Sequence, residues 1–218
     1  MIVYGGSVSP FVRKVLAFGE EKGLSLEHRP VGLGSQDPEF RAASPFGKIP
    51  AFSDGDFRVA DSSAIVAYLE AVQPEPNLIP AEARARARCV WWDEFADTLL
   101  MDCGRKMFFN RVVAPLFLGR AGDLEAADRA EREQLPPLMD YLEGEVPDAR
   151  GHLVEDRITL ADIALASPFV NLIHHLKLDL ARWPRTLAYM EAMHARPSLR
   201  TWIDKEARFL DKARAAAA

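Results

Sequence analysis

"GGSVSPFVRKVLAF", residues 5–18, sets two serines just ahead of a proline, and the proline opens a run with helical periodicity. Phe11, Val12, Val15, Leu16 and Phe18 recur at the spacing of one helix face. Ser9 has the chemistry of an N-cap: its hydroxyl can accept from first-turn N–H groups, and Pro10 fits the first helical position, where no donor is needed. On these residues alone the stretch reads as a cap ahead of a helix. A chemical role for its serines has to come from the rest of the chain.

On either side the pattern alternates. "MIVYG" is a short apolar strand, and Gly23 is a good C-cap for the helix over 10–22. "LEHRPV" reads as a strand that Pro30 assigns to an edge. "DPEFRAAS" is a short helix with a capping Asp37 and Pro38 just inside. "IPAFSD" and "FRVAD" flank Gly55 as a hairpin through "DGD", and "SSAIVAYLEAV" is an apolar helix. A strand–helix–strand unit demands a parallel pair and the hairpin demands antiparallel pairs. The predicted fold over residues 1–73 is therefore an α/β domain with a mixed four-stranded sheet.

"QPEPNLIP" carries three prolines in eight residues and reads as a linker, taken as residues 74–80. Everything from 81 to 218 reads as helical: 81–109, running on towards "APLF" where Pro115 breaks or kinks it, then 123–144, 159–177, 184–195 and 197–210. The tail "KARAAAA" has nothing to pack against and is expected to fray. In "RITLADIALASPFV", Thr159 caps a buried helix and Asp162 completes a capping box, a structural device.

The 218 residues are 49% hydrophobic and 27% charged, ordinary for a soluble globular protein with room for a real core. A net charge of -5 argues against nucleic acid as the main partner. No apolar run approaches the roughly 20 residues that span a bilayer, and "MIVYGG" lacks the pattern of a signal peptide, so a cytoplasmic location with no membrane partner is expected. Cys89 and Cys103 fall in one predicted helix, about 21 Å of rise apart, too far for a disulfide, whose Cα atoms lie within about 7 Å. No cluster has metal-ligand spacing. His174 and His175 are adjacent on a helix, point about 100° apart and do not converge on an ion.

Three pieces now stand in order: a Ser-Pro helix start after the first strand, "GKIP" before the third, and "ADSSAI" after the fourth. With the mixed sheet, the proline-rich linker and the helical remainder, the whole chain resembles a cytosolic glutathione transferase. "SPFVRKV" is similar to the Ser-Pro-Phe and Cys-Pro-Phe starts of the tau and omega classes. The resemblance implies a thioredoxin-like domain over 1–73 that binds glutathione, a helical domain over 81–218 that helps hold the second substrate, and a role in detoxification. It also implies a homodimer formed through the helices of residues 62–72 and 81–109.

The resemblance makes Ser9 the catalytic position, with Ser7 as the alternative, since other members place the serine further from the proline. A glutathione thiol has a pKa of about 8.5, and a serine hydroxyl donating to the thiolate at a helix N-terminus lowers it. Glutathione would lie against Phe11, Lys48, Ile49, Pro50, Asp61 and Ser62. Pro50 would follow a cis bond that lets the Ile49 backbone pair with the tripeptide. Lys48 would meet its glycine carboxylate, Ser62 its γ-glutamyl carboxylate and Asp61 its ammonium. For each the plain alternatives are a trans turn, a solvated lysine and an N-cap. Phe108, Phe109 and Arg111 are candidates for the second-substrate pocket. No metal is implied. The implied reaction adds glutathione to a small, apolar electrophile. A glutathione-dependent isomerase of the zeta type, or a non-catalytic binding or regulatory protein on the same fold, is the alternative.

Overall fold

The computed structural model describes residues 1–32 and 34–217. The chain begins with β1 (Ile2–Tyr4), α1 (Pro10–Glu21), β2 (Glu27–Arg29), α2 (Pro38–Ala43), β3 (Ala51–Asp54), β4 (Phe57–Ala60) and α3 (Ser62–Val72). The strands form one mixed sheet in the order β2-β1-β3-β4, with β1 parallel to β2 and antiparallel to β3. Side-chain alternation divides its faces. Val3 and Phe52, opposite one another across β1 and β3, pack into the main core with α1 and α3. Tyr4, Ala51 and Phe40 form a smaller core under α2. The Tyr4 hydroxyl accordingly bonds Glu39 at 3.3 Å, on the sheet face away from α1.

Past the proline-rich stretch the chain is helical: α4 (83–117), α5 (124–145), α6 (160–175), α7 (Pro184–His194) and α8 (Pro197–Ala217). Every residue of Leu160–Val170 is buried, so α6 is the axis around which α1, α4 and α7 pack. Its start is held by the expected capping box. The Asp162 carboxylate takes the Thr159 N–H at 2.8 Å and also the Tyr189 hydroxyl at 2.5 Å.

Helix α4 takes the longer of the two courses left open: it runs past Phe109 and through Pro115 to Phe117. A π turn over Phe109–Val113 carries the Ala114 N–H back to the Phe109 carbonyl, and this widened register leads into the proline. One expectation is corrected: the last helix does not end at 210 but runs to Ala217, and within it Arg214 bonds Asp211 and the His175 carbonyl. Ala218 lies outside the described residues.

Cys89 and Cys103 are both unpaired and buried, and burial pushes each thiol up to about 11. His174 and His175 diverge as their spacing requires. The His174 Nε2 meets His194 Nδ1 at 3.0 Å, and the His175 Nε2 donates to Glu206 at 2.9 Å.

Candidate functional site

The site lies where β1 runs into α1. Gly5 turns the chain at a φ of 135°, and its backbone lies so close to Ile49 that an added Cβ would sit 3.0 Å from the Ile49 Cβ. This contact brings the 5–9 loop against the residues before β3. The Ser9 N–H bonds the Gly6 carbonyl at 3.0 Å, and the Ser9 carbonyl starts the helix by accepting from Arg13. Ser9 therefore occupies the N-cap, yet its side chain makes no capping hydrogen bond. Ser7 and Ser9 are both half-buried, and among the described residues neither hydroxyl has a partner. Phe11 follows in the first turn, half-buried. The start of α1 thus combines an uncommitted hydroxyl with the positive end of a helix, a setting that favours a thiolate.

Ile49-Pro50 is a cis peptide. Pro50 is buried, Ile49 half-buried and Lys48 exposed. The buried Ser44 hydroxyl clamps the Lys48 backbone, accepting from its N–H at 2.8 Å and donating to its carbonyl at 2.7 Å. The Pro50 carbonyl takes the Asp61 N–H at 3.3 Å, so the start of α3 lies directly beside the cis bond. Asp61 holds a left-handed φ of 96°, rare for a non-glycine residue. One oxygen of its exposed carboxylate caps α3 by accepting from the Ser63 and Ala64 N–H groups, and its second oxygen is uncommitted among the described residues.

The Ser62 hydroxyl points elsewhere than the sequence suggested. It donates to the Asp97 carboxylate at 3.2 Å. There it joins a buried ionic cluster in which Lys14 binds Asp93 at 2.7 Å and Asp97 at 2.5 Å, with Ser63 bridging Lys14 and Asp93. Burial raises the Asp97 carboxyl and the Asp93 charge adds to the rise, outweighing the pull of the Lys14 ammonium. Sequence reasoning missed Lys14, Asp93 and Asp97. The available signal was a lysine inside an apolar helix, with two aspartates one helical turn apart on α4.

Beside the serines lies a packed apolar cluster. Phe108, Val112 and Leu210 form its centre, with Val8 from the loop and Leu116 and Leu176 packed against it. The three pocket candidates separate here. Phe108 belongs to this cluster. Phe109 is half-buried on another side of α4, under the Arg120 guanidinium at 5.6 Å, beside a shallow concavity with Arg105, Lys106 and Asn110. Arg111 is tied to Asp128 and Glu131 at 2.7 and 2.5 Å, an anchor to α5. Among the described residues no group of His, Cys, Asp and Glu could hold a metal ion, and no helix is long and apolar enough to cross a membrane.

Comparison with known proteins gives two family models, "Glutathione S-transferase, N-terminal domain" over residues 3–77 and "Glutathione S-transferase, C-terminal domain" over residues 109–206. Glutathione S-transferase 3 of Zea mays is 33% identical over 208 residues, covering 92% of each chain. A glutathione S-transferase of Hyoscyamus muticus is 30% identical over 205 residues, 91% of this chain and 95% of the relative. Among solved structures, glutathione S-transferase III in its apo form superposes with a TM-score of 0.77 at 34% identity, covering 93% of this chain and 95% of that one.

Proposed function

The chain belongs to the glutathione S-transferase family and is a glutathione transferase, and from that premise we propose that it binds glutathione across the cis Ile49-Pro50 edge and the start of α3, with the sulfur at Ser9. The observation that carries this reading is the Ser9 side chain: it stands at a helix N-cap and does not cap. A hydroxyl left free there donates to a thiolate, and the helix dipole favours the same anion. Ser7 is the alternative donor. Neither serine has a base within the loop to make it a nucleophile, so the attacking atom is the sulfur of glutathione.

The tripeptide would pair with the Ile49 backbone and lie against Phe11 and Pro50, with its glycine carboxylate near Lys48. Its γ-glutamyl carboxylate would meet the backbone N–H end of α3 rather than the Ser62 hydroxyl, which Asp97 already holds. Its ammonium would meet the uncommitted oxygen of Asp61. The electrophile would approach beside Val8, where the apolar cluster of Phe108, Val112 and Leu210 meets the 7–9 loop, a surrounding that suits a small apolar compound. In a substitution the thiol gives its proton to solvent, the thiolate forms the carbon–sulfur bond, and the electrophile's leaving group, a halide from an aryl halide, departs with the bonding pair. Such conjugation serves detoxification, in a cytoplasm whose reducing conditions match two unpaired thiols. Retention on immobilised glutathione, followed by conjugation of a generic aryl halide, tests the reading. Retention without turnover would instead mark a binding protein.

The assembly we propose is a two-fold homodimer. Phe46, in the loop before the cis bond, is 90% exposed, and Val72, Val90, Trp91 and Leu99 are each close to half exposed on α3 and α4. Apolar side chains of this size on these two helices and the loop suit burial against a second copy of the same surface. Sedimentation at micromolar concentration reads the mass, and a monomer there would sink the assembly.

A further inference from the structure

The backbone that carries Ser7 and Ser9 is tied to a helix in the other half of the chain. The Val8 carbonyl, between the two serines, accepts from Asn171 Nδ2 at 3.2 Å and from Arg13 Nη2 at 3.4 Å. Asn171 is buried at the start of a π turn in α6. Its Oδ1 accepts from Arg13 Nη2 at 2.8 Å. A guanidinium only donates and a carbonyl only accepts, so one orientation of the amide satisfies both. Arg13 is fixed in turn. It donates to Glu206 at 3.0 and 2.6 Å and to the Ser167 carbonyl at 2.5 Å, while Glu206 also takes the His175 Nε2 proton. The near end of the loop is held from β2, where His28 Nε2 donates to the Gly5 carbonyl at 2.7 Å.

We propose that Asn171, oriented by Arg13, is a positioning residue: it holds the Val8 carbonyl and so fixes the direction in which residues 7–9 present a hydroxyl to the sulfur. This rests on the reading of the 7–9 loop as the sulfur site. Asn171 touches neither serine side chain; it acts through the peptide between them. Its polarity is the essential feature. An aspartate at 171 still accepts from Arg13 but has no proton for Val8, and sets oxygen against oxygen in a buried place, where a lost partner is costly. The thiolate then loses a donor aimed in advance, and preorganisation is the main strength of such a contact.

The test compares Asn171→Asp with Asn171→Ala. The aspartate adds a carboxylate facing Arg13, Glu206 and His175, and the alanine controls for that charge. Amide exchange over residues 6–9, measured without glutathione, should quicken in both variants. The apparent pKa of the bound thiol, read from the pH profile of kcat/KM, should rise by about one unit, with neutral-pH turnover about tenfold lower. Higher pH should restore it. The glutathione Kd should stay within about twofold, because the tripeptide is held by β3 and α3. Unchanged exchange over residues 6–9 overturns the proposal. So does a loss of rate with an unmoved pH profile, which marks a merely structural role. A wild-type protein that leaves the thiol pKa of bound glutathione unshifted overturns the sulfur-site reading instead, and loop exchange alone then decides whether Asn171 holds Val8.

Discussion

Arg13 Nη2 lies 2.6 Å from Glu206 Oε2, with neither side chain exposed, and the pair joins the first helix of the chain to the last. Burial by itself would raise the Glu206 carboxyl; the Arg13 charge and the hydrogen bonds from His175 and Arg13 outweigh it and hold the group below its ordinary range. Removing one partner of such a pair leaves an uncompensated buried charge. Glu206→Ala should therefore cost about 3–5 kcal/mol in urea unfolding, and Glu206→Gln, which keeps hydrogen-bonding atoms in place, distinctly less. Equal losses in the two variants would mean that the charge of Glu206 contributes nothing.

Ser9→Ala separates chemistry from capping. A cap whose side chain bonds the first turn costs about 0.5–2 kcal/mol when removed, but the Ser9 hydroxyl makes no such bond. Stability should consequently change by less than about 0.5 kcal/mol, while the apparent pKa of bound glutathione rises and activity lost at neutral pH partly returns in alkali. Ser7→Ala in parallel assigns the donor. A pH–rate profile shifted by Ser7→Ala and untouched by Ser9→Ala would move the role to Ser7.

One Asp61 oxygen caps α3, and the proposed site gives the other the glutathione ammonium. Asp61→Asn keeps an oxygen for the Ser63 and Ala64 N–H groups and removes the charge. It should leave stability within about 0.5 kcal/mol and weaken glutathione binding by about 1.5–3 kcal/mol, measured by calorimetry. Asp61→Ala should show the same loss of affinity plus about 1 kcal/mol of stability. Full affinity in the asparagine variant would leave Asp61 as a cap alone.

Acid should destabilise the fold before its carboxylates titrate. Burial pushes the His194 imidazole down to about 3, and the neighbouring His174 is lowered by burial as well. His194 Nε2 donates to the Ala166 carbonyl, so its Nδ1 accepts from His174 and the ring is neutral. The unfolded chain takes up a proton at about 6.5 that the folded chain refuses, so stability is full above that pH and falls as pH drops towards 3. By pH 5 the loss from His194 is about 2 kcal/mol. Denaturant midpoints between pH 7 and 5 should show it, and His194→Gln, whose amide can still donate to Ala166, should flatten the slope. A wild-type profile flat over that range would contradict the buried neutral state.

What was legible in the sequence was local. Strand alternation, Pro10, Asp37 and the Thr159–Asp162 box all act within a few residues, and from them come the mixed four-stranded sheet, the caps and the main helices, but not the order of the strands. The site was legible only as positions. Ser9 announces a cap by its neighbour Pro10, but whether the hydroxyl caps depends on its rotamer, which no neighbour dictates. Ser62 reads from its neighbours as a donor to a ligand, because Asp97, which its hydroxyl meets, lies 35 residues further on. Arg13 and Lys14 read as the polar side of an amphipathic helix. They are buried because α6, α8 and α4 close over α1, and their partners Glu206 and Asp93 stand 193 and 79 residues away. How the chain passes Pro115 was not legible either, because the π turn ahead of it has no signature in residue type.

The burial of Cys89 and Cys103 bears on how long the catalyst survives. A protein built to present electrophiles to a thiolate risks being alkylated by them, since any ionised cysteine competes with the cosubstrate. With both thiols pushed up to about 11 and closed off from solvent, neither cysteine competes as a thiolate near neutral pH. On the proposed reaction, an electrophile would then meet the thiolate of the tripeptide before either cysteine of the chain. A thiol titration of the native protein would then read empty and fill only on unfolding.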